Sequence, residues 1–316
     1  MKNFDYTKGV AFLRDKFIPF GEANIHIASS PVLYGLAVYT VFSLNWNEGE
    51  KKLYAFRFRD HYNRLVNSTR MMGFDGTDGA GFAAAWPYEK FEQTMLELAR
   101  KNNIHEDALV RVSVFIDALI AGTKIHGLPI ALSAYVYPLG RILNPHGINV
   151  CISSWVHVPS AAIPSRAKVN GAYANNSLMK NEALQNGFDD AIALDVQGRV
   201  CEGTVANLFL VKGGVLITPP VDADILEGIT RRSIIAMAGD LGIKVEERHV
   251  TREELFSADE MFVCGSSARV VPILSVDRKA VGSGAAGPIT LKFAEKYLAA
   301  QKGTSDEYKE WRMEVK

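Results

Sequence analysis

Two adjacent hairpin patterns restrict the fold of this chain more than any other feature of its sequence. The segment 190–201 (DAIALDVQGRVC) has its turn at Gln197-Gly198, and the segment 207–218 (NLFLVKGGVLIT) has its turn at Gly213-Gly214. Apolar, β-branched runs joined by such dipeptides predict antiparallel strands. A doubly wound sheet needs parallel strands joined by helices, so the hairpins argue against that architecture.

Segments with helical periodicity are interleaved with further strand-like segments. Apolar residues recur at helical spacing in 59–72, 88–102, 174–186, 229–241 and 289–301. Runs rich in β-branched and aromatic residues predict strands at 24–27, 34–44, 108–116, 130–137, 148–158 and 261–264, with a hairpin over 10–20. Hairpins mixed with helices predict a mixed α/β, or α+β, architecture.

The length of 316 residues favours two domains. The segment 138–147 (PLGRILNPHG) holds two prolines and two glycines, a composition typical of a linker. We therefore predict an N-terminal small domain over 1–137 and a larger C-terminal domain over 148–316.

Composition and charge exclude several classes of function. Lys plus Arg and Asp plus Glu each number 35, so the chain is formally neutral and is a poor candidate for binding nucleic acid or an anionic membrane surface. Its three cysteines are widely spaced, which suits neither a disulfide framework nor a zinc site. Such a set, with no apolar signal segment at the N-terminus, favours a cytoplasmic protein.

The common motifs of other enzyme classes are missing or incomplete. Residues 282–287 (GSGAAG) match the dinucleotide pattern GxGxxG, but the chain has no following strand and acidic residue for the rest of that fingerprint. The seven histidines form no metal-ligating pair, and no GxSxG elbow is present. We expect neither a metal nor a nucleotide site, and a glycine loop before a helix explains residues 282–287.

Four other segments place reactive or anion-binding groups among small residues. Lys168 lies in RAKVNGAY (166–173), and Glu202 ends a hairpin strand at EGT (202–204). A helix begins at GITR (228–231), where free N–H groups favour an anion, and GSSA (265–268) follows a buried strand. Taken singly, each is more often an ordinary surface feature.

In combination these segments are far more specific. In chain order they are Lys168, Tyr173, EGTVANLF (202–209), VLITPP (215–220), LEGITR (226–231), ADEMFVCGSSA (258–268) and GPIT (287–290). This series resembles the class IV aminotransferases, enzymes that bind pyridoxal 5'-phosphate (PLP), and is most similar to the branched-chain amino acid aminotransferases. The resemblance extends from about residue 10 to the C-terminus.

The resemblance implies a role for each matching residue. Lys168 would form the Schiff base with PLP and act as the catalytic residue, while Tyr173 would bind the phenolic oxygen of the cofactor. Glu202 would pair with the pyridine nitrogen. The phosphate would be held by a set comprising Arg64, Ile229, Thr230 and Ser266. Substrate contacts are implied for Tyr34, Tyr39, Arg111, Ser266 and Ser267.

The substrate-binding strand departs from the branched-chain pattern YG-x-x-x-FEG-x-R. The Tyr34-Gly35 start is kept, but Tyr39, Thr40, Val41 and Ser43 replace the Phe, Glu, Gly and Arg positions. These replacements look more like the (R)-selective amine or D-amino-acid transaminases of the same fold. Arg111, in LVR (109–111), keeps the family's carboxylate-binding arginine without the usual aromatic residue before it.

The resemblance also implies the overall organisation and the reaction. It implies the two-domain class IV fold, with PLP in the interdomain cleft of a homodimer or a multiple of it. The first expectation is transfer of an amino group from a branched-chain L-amino acid to 2-oxoglutarate. The alternative is an (R)-amine or D-amino-acid transaminase, and a reaction of the aminodeoxychorismate-lyase type is a third.

Overall fold

The fold was obtained as a computed structural model, which describes residue 5, residues 8–140 and residues 143–315. Two residues of the predicted linker, 141 and 142, lie outside the described residues. The chain divides into two compact units. One comprises the described residues up to Gly140, together with Ala167–Gly171 and the residues from Ala300 onwards, and the other comprises the rest.

The first unit is built on a seven-stranded sheet with the order β16-β4-β3-β5-β6-β1-β2, in which every pairing is antiparallel. Its strands are β1 (Val10–Leu13), β2 (Lys16–Pro19), β3 (Ala37–Asn47), β4 (Lys52–Phe56), β5 (Ala108–Ile116), β6 (Ile130–Pro138) and β16 (Arg312–Glu314). Its helices are α1 (Ser30–Tyr34), α2 (Phe58–Met71), α3 (Gly81–Ala85) and α4 (Tyr88–Lys101).

Helices α2 and α4 each bury one apolar face. Leu65 of α2 and Phe91, Met95 and Leu98 of α4 are at most 1% exposed. The predicted helices over 59–72 and 88–102 are thus confirmed. The predicted strand at 24–27 is wrong, because that segment is irregular and Ile27 is 80% exposed. Tyr34, predicted to lie on a strand, instead ends helix α1.

The second unit is built on a larger sheet in which parallel and antiparallel pairings mix. Its order is β12-β11-β10-β13-β14-β7-β8-β9, with β15 paired to β14. The strands are β7 (Ile148–Val156), β8 (Asp190–Leu194), β9 (Val200–Gly203), β10 (Asn207–Lys212), β11 (Val215–Thr218), β12 (Val245–Glu247), β13 (Glu260–Gly265), β14 (Arg269–Val276) and β15 (Lys279–Ala280). The helices are α5 (Tyr173–Gln185), α6 (Ile229–Asp240) and α7 (Pro288–Lys302, which extends into the first unit).

Both hairpins predicted in this unit are confirmed. Strand β8 pairs antiparallel with β9, and β10 pairs antiparallel with β11. Parallel pairs join β7 to β8, β7 to β14 and β11 to β12. The mixed α/β class is therefore confirmed. Side chains from these strands, among them Ile148, Leu208 and Val263, form one apolar core.

Candidate active site

Lys168 lies in the first unit, where the segment 167–171 pairs with strand β3. Strand β4 pairs with β3 only from Leu44 onward, so the start of that edge is available to this segment. The backbone N–H of Tyr39 donates to the carbonyl of Lys168 at 2.9 Å, and Asn170 N–H donates to Ala37 O at 2.8 Å. These bonds fix the backbone of the lysine while its partly buried side chain extends from the strand.

Helix α2 contacts the same segment through Ser68. The hydroxyl of Ser68 accepts a hydrogen bond from Lys168 N–H at 3.1 Å and donates to Arg64 O at 2.8 Å. Ser68 is fully buried, so this contact sets the position of the Lys168 backbone relative to α2. The sequence analysis assigned no role to Ser68.

The aromatic ring of Tyr39 lies next to two cationic side chains. The guanidinium carbon of Arg111 is 3.7 Å from the ring centroid, and Lys168 Nζ is 4.8 Å from it. Cations are attracted to the electron-rich face of an aromatic ring. The structure therefore brings together three residues that the resemblance assigns to chemistry and substrate, and it concentrates positive charge there.

Arg64 is held by a polar chain on α2 and β3. Its Nη2 donates to Thr40 Oγ1 at 3.3 Å, and Thr40 Oγ1 lies 2.8 Å from His61 Nδ1. Thr40 and His61 are both buried. Thr40 stands where the family pattern has glutamate, and in this chain its hydroxyl is one of the contacts of the arginine.

Tyr34 is the last residue of helix α1. It is 37% exposed, and its hydroxyl accepts a hydrogen bond from Gly122 N–H at 2.9 Å. The next residue, Gly35, has a φ of +65°, and a Cβ there would lie 2.8 Å from the Cα of Gly171. Only glycine suits both the positive φ and the close approach to Gly171, which explains why a glycine follows Tyr34 beside the lysine segment.

In the second unit, the buried carboxylate of Glu202 is surrounded by donors. Asn207 Nδ2 donates to Oε2 at 2.7 Å, Leu226 N–H donates to Oε1 at 3.2 Å, and His157 Nε2 lies 3.6 Å from Oε1. Glu202 is the penultimate residue of strand β9 and Asn207 begins β10, so the two strand ends joined by one short connection supply both members of the Glu–Asn pair. Asn207 and His157 were not among the predicted site residues.

Helix α6 begins beside this pair. A Cβ on Gly228, its N-cap, would lie 1.9 Å from Asn207 Oδ1, so a glycine is needed there. Among the described residues no side chain caps this helix end, which begins with Ile229 and Thr230. Uncapped N–H groups in the first turn favour an anion. The Thr230 hydroxyl lies 3.0 Å from that of Tyr297 on α7.

The three remaining predicted residues also lie in the second unit and are partly buried. Tyr173 is the first residue of α5, and Ser266 and Ser267 lie in the turn between β13 and β14. Gly265, at the start of that turn, packs against the segment after Glu202: its Cβ position is 3.5 Å from Val205 O. The eleven predicted residues thus divide, with Tyr34, Tyr39, Arg64, Arg111 and Lys168 in the first unit and the other six in the second.

The GxGxxG pattern at 282–287 has a structural explanation. Glu260 accepts hydrogen bonds from Ile289 N–H at 3.1 Å and Thr290 N–H at 2.8 Å, so its carboxylate fills the N-terminus of α7. A Cβ on Gly287 would lie 2.0 Å from Glu260 Cδ. The glycine admits the chain's own carboxylate, and these N–H groups already have an acceptor.

Metal-binding clusters and membrane-spanning helices are both absent from the part of the chain that the structure describes. Among them, no group of three or more His, Cys, Asp or Glu side chains could hold a metal ion. No helix in the described ranges is sufficiently long and apolar to cross a bilayer.

Comparison with known families gives one family match across most of the chain. The family described as amino-transferase class IV matches residues 37–276. That range contains ten of the eleven predicted site residues, with only Tyr34 outside it.

Individual relatives are similar over nearly their whole length. A probable branched-chain-amino-acid aminotransferase of Aquifex aeolicus is 37% identical over 308 residues, 97% of this chain and 96% of that protein. The crystal structure of a branched-chain aminotransferase from Thermoproteus uzoniensis with norvaline has a TM-score of 0.90 at 34% identity, covering 98% of this chain and 99% of that one. A branched-chain amino acid aminotransferase from Thermobaculum terrenum, in PLP form, has a TM-score of 0.88 at 30% identity, covering 99% and 100%.

Proposed function

Because the chain belongs to the class IV aminotransferase family, we propose that it transfers the amino group of a branched-chain L-amino acid to 2-oxoglutarate. The observation that carries this proposal is the name shared by its relatives, branched-chain aminotransferases that are 30–37% identical over nearly the full length. The retained Arg111 beside Tyr39 supports an amino donor that carries a carboxylate.

Class IV aminotransferases are PLP-dependent transaminases, and the residues of this chain fit the cofactor. The phosphate is dianionic, which suits the Arg64 guanidinium and the uncapped start of α6 at Ile229-Thr230, with Ser266 as a further donor. Gly228 leaves room at that helix end for the Asn207 side chain, whose Oδ1 lies where a Cβ would be. The buried Glu202 carboxylate, fixed by Asn207, suits a protonated ring nitrogen, and Tyr173 suits the phenolic oxygen. When bound, PLP supplies an aldehyde that takes up the amino group and a ring that withdraws electrons.

Lys168 performs two tasks in this proposal: it is the attachment point of the cofactor, and its free amine moves a proton on and off the substrate carbon. A base of this kind must be held within hydrogen-bonding reach of the proton it takes. The strand pairing with Tyr39 and the Ser68 contact restrain the lysine backbone, so only its flexible side chain has to move.

In this proposal the substrate carboxylate binds next to Tyr39, where the positive charge is concentrated. A buried carboxylate needs a partner, since an unpaired charge removed from water is costly. We assign that role to Arg111, which lies against Tyr39. Tyr34, Ser266 and Ser267 are the further substrate contacts that the resemblance implies. A carboxylate-free amine leaves Arg111 without this interaction, which disfavours the (R)-amine alternative.

We further propose the organisation that accompanies this function. Along the chain the domains are 1–137 and 148–316, joined by 138–147, except that Ala167–Gly171 and the residues from Ala300 onwards belong to the first compact unit. The active form is a homodimer or larger homo-oligomer, which would cover the exposed apolar side chains of Ile27, Val32 and Leu33 near Tyr34. A cytoplasmic location suits three cysteines that are all free. Light scattering on the purified protein measures the oligomer number.

A donor panel tests the proposed activity. L-leucine, D-alanine and (R)-1-phenylethylamine are each assayed with 2-oxoglutarate and with pyruvate as acceptor, using purified protein saturated with PLP. We expect the highest kcat/KM for L-leucine with 2-oxoglutarate. Preference for D-alanine or the aromatic amine would favour the D-amino-acid or (R)-amine transaminase, and activity with none would contradict a transaminase function.

A further inference from the structure

His157 is a buried histidine in contact with Glu202, and none of the roles above uses it. It follows strand β7, and its backbone N–H donates to Leu194 O at 2.9 Å. The residue is only 8% exposed. A buried imidazole must satisfy both of its ring nitrogens from the protein.

Both ring nitrogens of His157 face oxygen atoms that can only accept hydrogen bonds. Nδ1 lies 3.1 Å from the carbonyl oxygen of Val158, and Nε2 lies 3.6 Å from Glu202 Oε1. A neutral imidazole carries a hydrogen on only one nitrogen, and the other would direct a lone pair at an acceptor. The geometry therefore selects the doubly protonated, cationic ring.

The surrounding charges act in the same direction. Burial lowers the pKa of His157, but the hydrogen bond and charge of Glu202, the Val158 carbonyl and the charge of Asp224 raise it, and the net effect is a raised pKa. Glu202 on β9 and Asp224 on the loop before α6 are thus the charged groups that face the ring. On α5, the nearby Asn175 is uncharged and accepts from Val158 N–H at 3.2 Å.

We propose that His157 is a positioning residue for the proposed transaminase, its cationic ring attracting one oxygen of Glu202 across 3.6 Å while Asn207 donates a hydrogen bond to the other. The inference rests on the proposed function, because it gives His157 its importance through the carboxylate assigned to the cofactor ring. Oε1 accepts a hydrogen bond from Leu226 N–H and lies in ion-pair contact with His157, and Oε2 accepts a hydrogen bond from Asn207, so both oxygens are restrained.

The first test observes the ring directly by imidazole ¹⁵N NMR on the full-length, PLP-loaded protein, with the His157 resonances identified from their loss in His157→Gln. We expect a titration midpoint above the ordinary histidine value near 6.5, with both nitrogens protonated below that midpoint. In Glu202→Gln the midpoint should fall, because the charged acceptor is gone. A midpoint at or below the ordinary histidine value, or a midpoint unaffected by Glu202→Gln, would overturn the proposal.

The second test separates a positioning role from a structural one by kinetics. His157→Leu removes the polar partner of a buried carboxylate. We expect kcat to fall about 10- to 100-fold, with little change in KM. His157→Gln keeps a neutral donor and should recover part of that loss. His126→Gln is the matched control. His126 is an exposed histidine whose Nδ1 lies 3.7 Å from a carboxylate oxygen of Asp75, so its substitution should leave kcat unchanged.

The pH profile supplies the readout that a purely structural role would not move. Because the pKa of His157 is raised, the cationic ring persists to a higher pH than in an ordinary histidine and is lost as pH rises through that pKa. Wild-type kcat should fall across that window, and His157→Gln should lack this fall. Identical profiles would overturn the proposal. The NMR result is independent of turnover, so failure of the donor panel is distinguishable from failure of this inference.

Discussion

At the scale of single residues, Lys168 has the largest part in the proposed reaction, because it both attaches the cofactor and transfers the proton. Lys168→Ala should reduce transamination at least 10²–10⁴-fold, the usual contribution of a positioned general acid–base group. It should also remove covalent cofactor attachment, which borohydride reduction followed by peptide mass mapping detects. Lys124→Ala, at an exposed position of the same unit, is the control and should retain both properties. A reducible cofactor adduct at full occupancy in Lys168→Ala would refute the assignment.

Substitution of Glu202 should affect turnover but not cofactor affinity. In Glu202→Gln the side chain keeps an oxygen for Asn207 but loses the charge proposed to face the ring nitrogen. Cofactor affinity, measured by fluorescence titration, should change little because the phosphate contacts remain. Turnover should fall by orders of magnitude. Unchanged turnover would mean that another acid contacts the ring.

Arg111 tests the proposed recognition of the carboxylate. Losing a hydrogen bond to a charged group costs about 1.5–3 kcal/mol, so Arg111→Ala should lower kcat/KM for L-leucine by about 10- to 150-fold. Turnover of (R)-1-phenylethylamine, which has no carboxylate, should barely change. Equal losses with both donors would indicate that Arg111 acts only by packing on Tyr39.

At the scale of elements, the start of α6 depends on a glycine. In Gly228→Ala the new Cβ would lie 1.9 Å from Asn207 Oδ1, so either the helix end or the Glu202 pair must move. Forced repacking of this kind costs about 1–3 kcal/mol. We expect a lower free energy of unfolding and weaker PLP binding, measured by denaturation and by titration.

A second glycine of the same helix provides the control. A Cβ on Gly239 meets nothing within 4 Å. Gly239→Ala should stabilise the protein by about 0.5–1 kcal/mol through helix propensity and leave PLP affinity unchanged. A loss of PLP affinity in Gly239→Ala as large as that in Gly228→Ala would argue against a local effect at the helix start.

The elements predicted well from sequence are those with strong local signals. The turns at Gln197-Gly198 and Gly213-Gly214 and the apolar faces of α2 and α4 suffice to identify their elements. Strands β12 and β16 were not predicted, because such short strands at sheet ends are specified by their partners. Strand β14 was also missed, although it has eight residues and lies inside its sheet. The segment 24–27 shows the reverse error: its apolar residues suggested a strand, although they are exposed.

The same distinction applies to the site. Lys168, Glu202 and Arg64 lie in contiguous motifs, so a resemblance can identify them. Asn207 also lies in such a motif, and its spacing from Glu202 could have suggested the contact. His157 is 45 residues before Glu202 in the chain, and only the packing of β7 against β8 and β9 brings the two together.

At the scale of the whole molecule, the three thiols are predicted to be chemically silent in the native state. Cys151, Cys201 and Cys264 are free and buried, and burial raises the pKa of each, to about 11 for Cys151. The nucleophilic thiolate is therefore scarce at pH 8. Ellman's reagent should label none of them in native protein and all three in denaturant. Rapid labelling of native protein would show that the interior opens.

The most direct test of the central claim is a competition between two donors for the same active site. L-leucine and (R)-1-phenylethylamine are supplied together at equal concentration with 2-oxoglutarate, and the two carbonyl products are measured at early times. Their ratio equals the ratio of kcat/KM values. The account predicts a large excess of 4-methyl-2-oxopentanoate over acetophenone. An excess of acetophenone would contradict it, and Tyr39 to Ser43 would then be the signature of an amine transaminase.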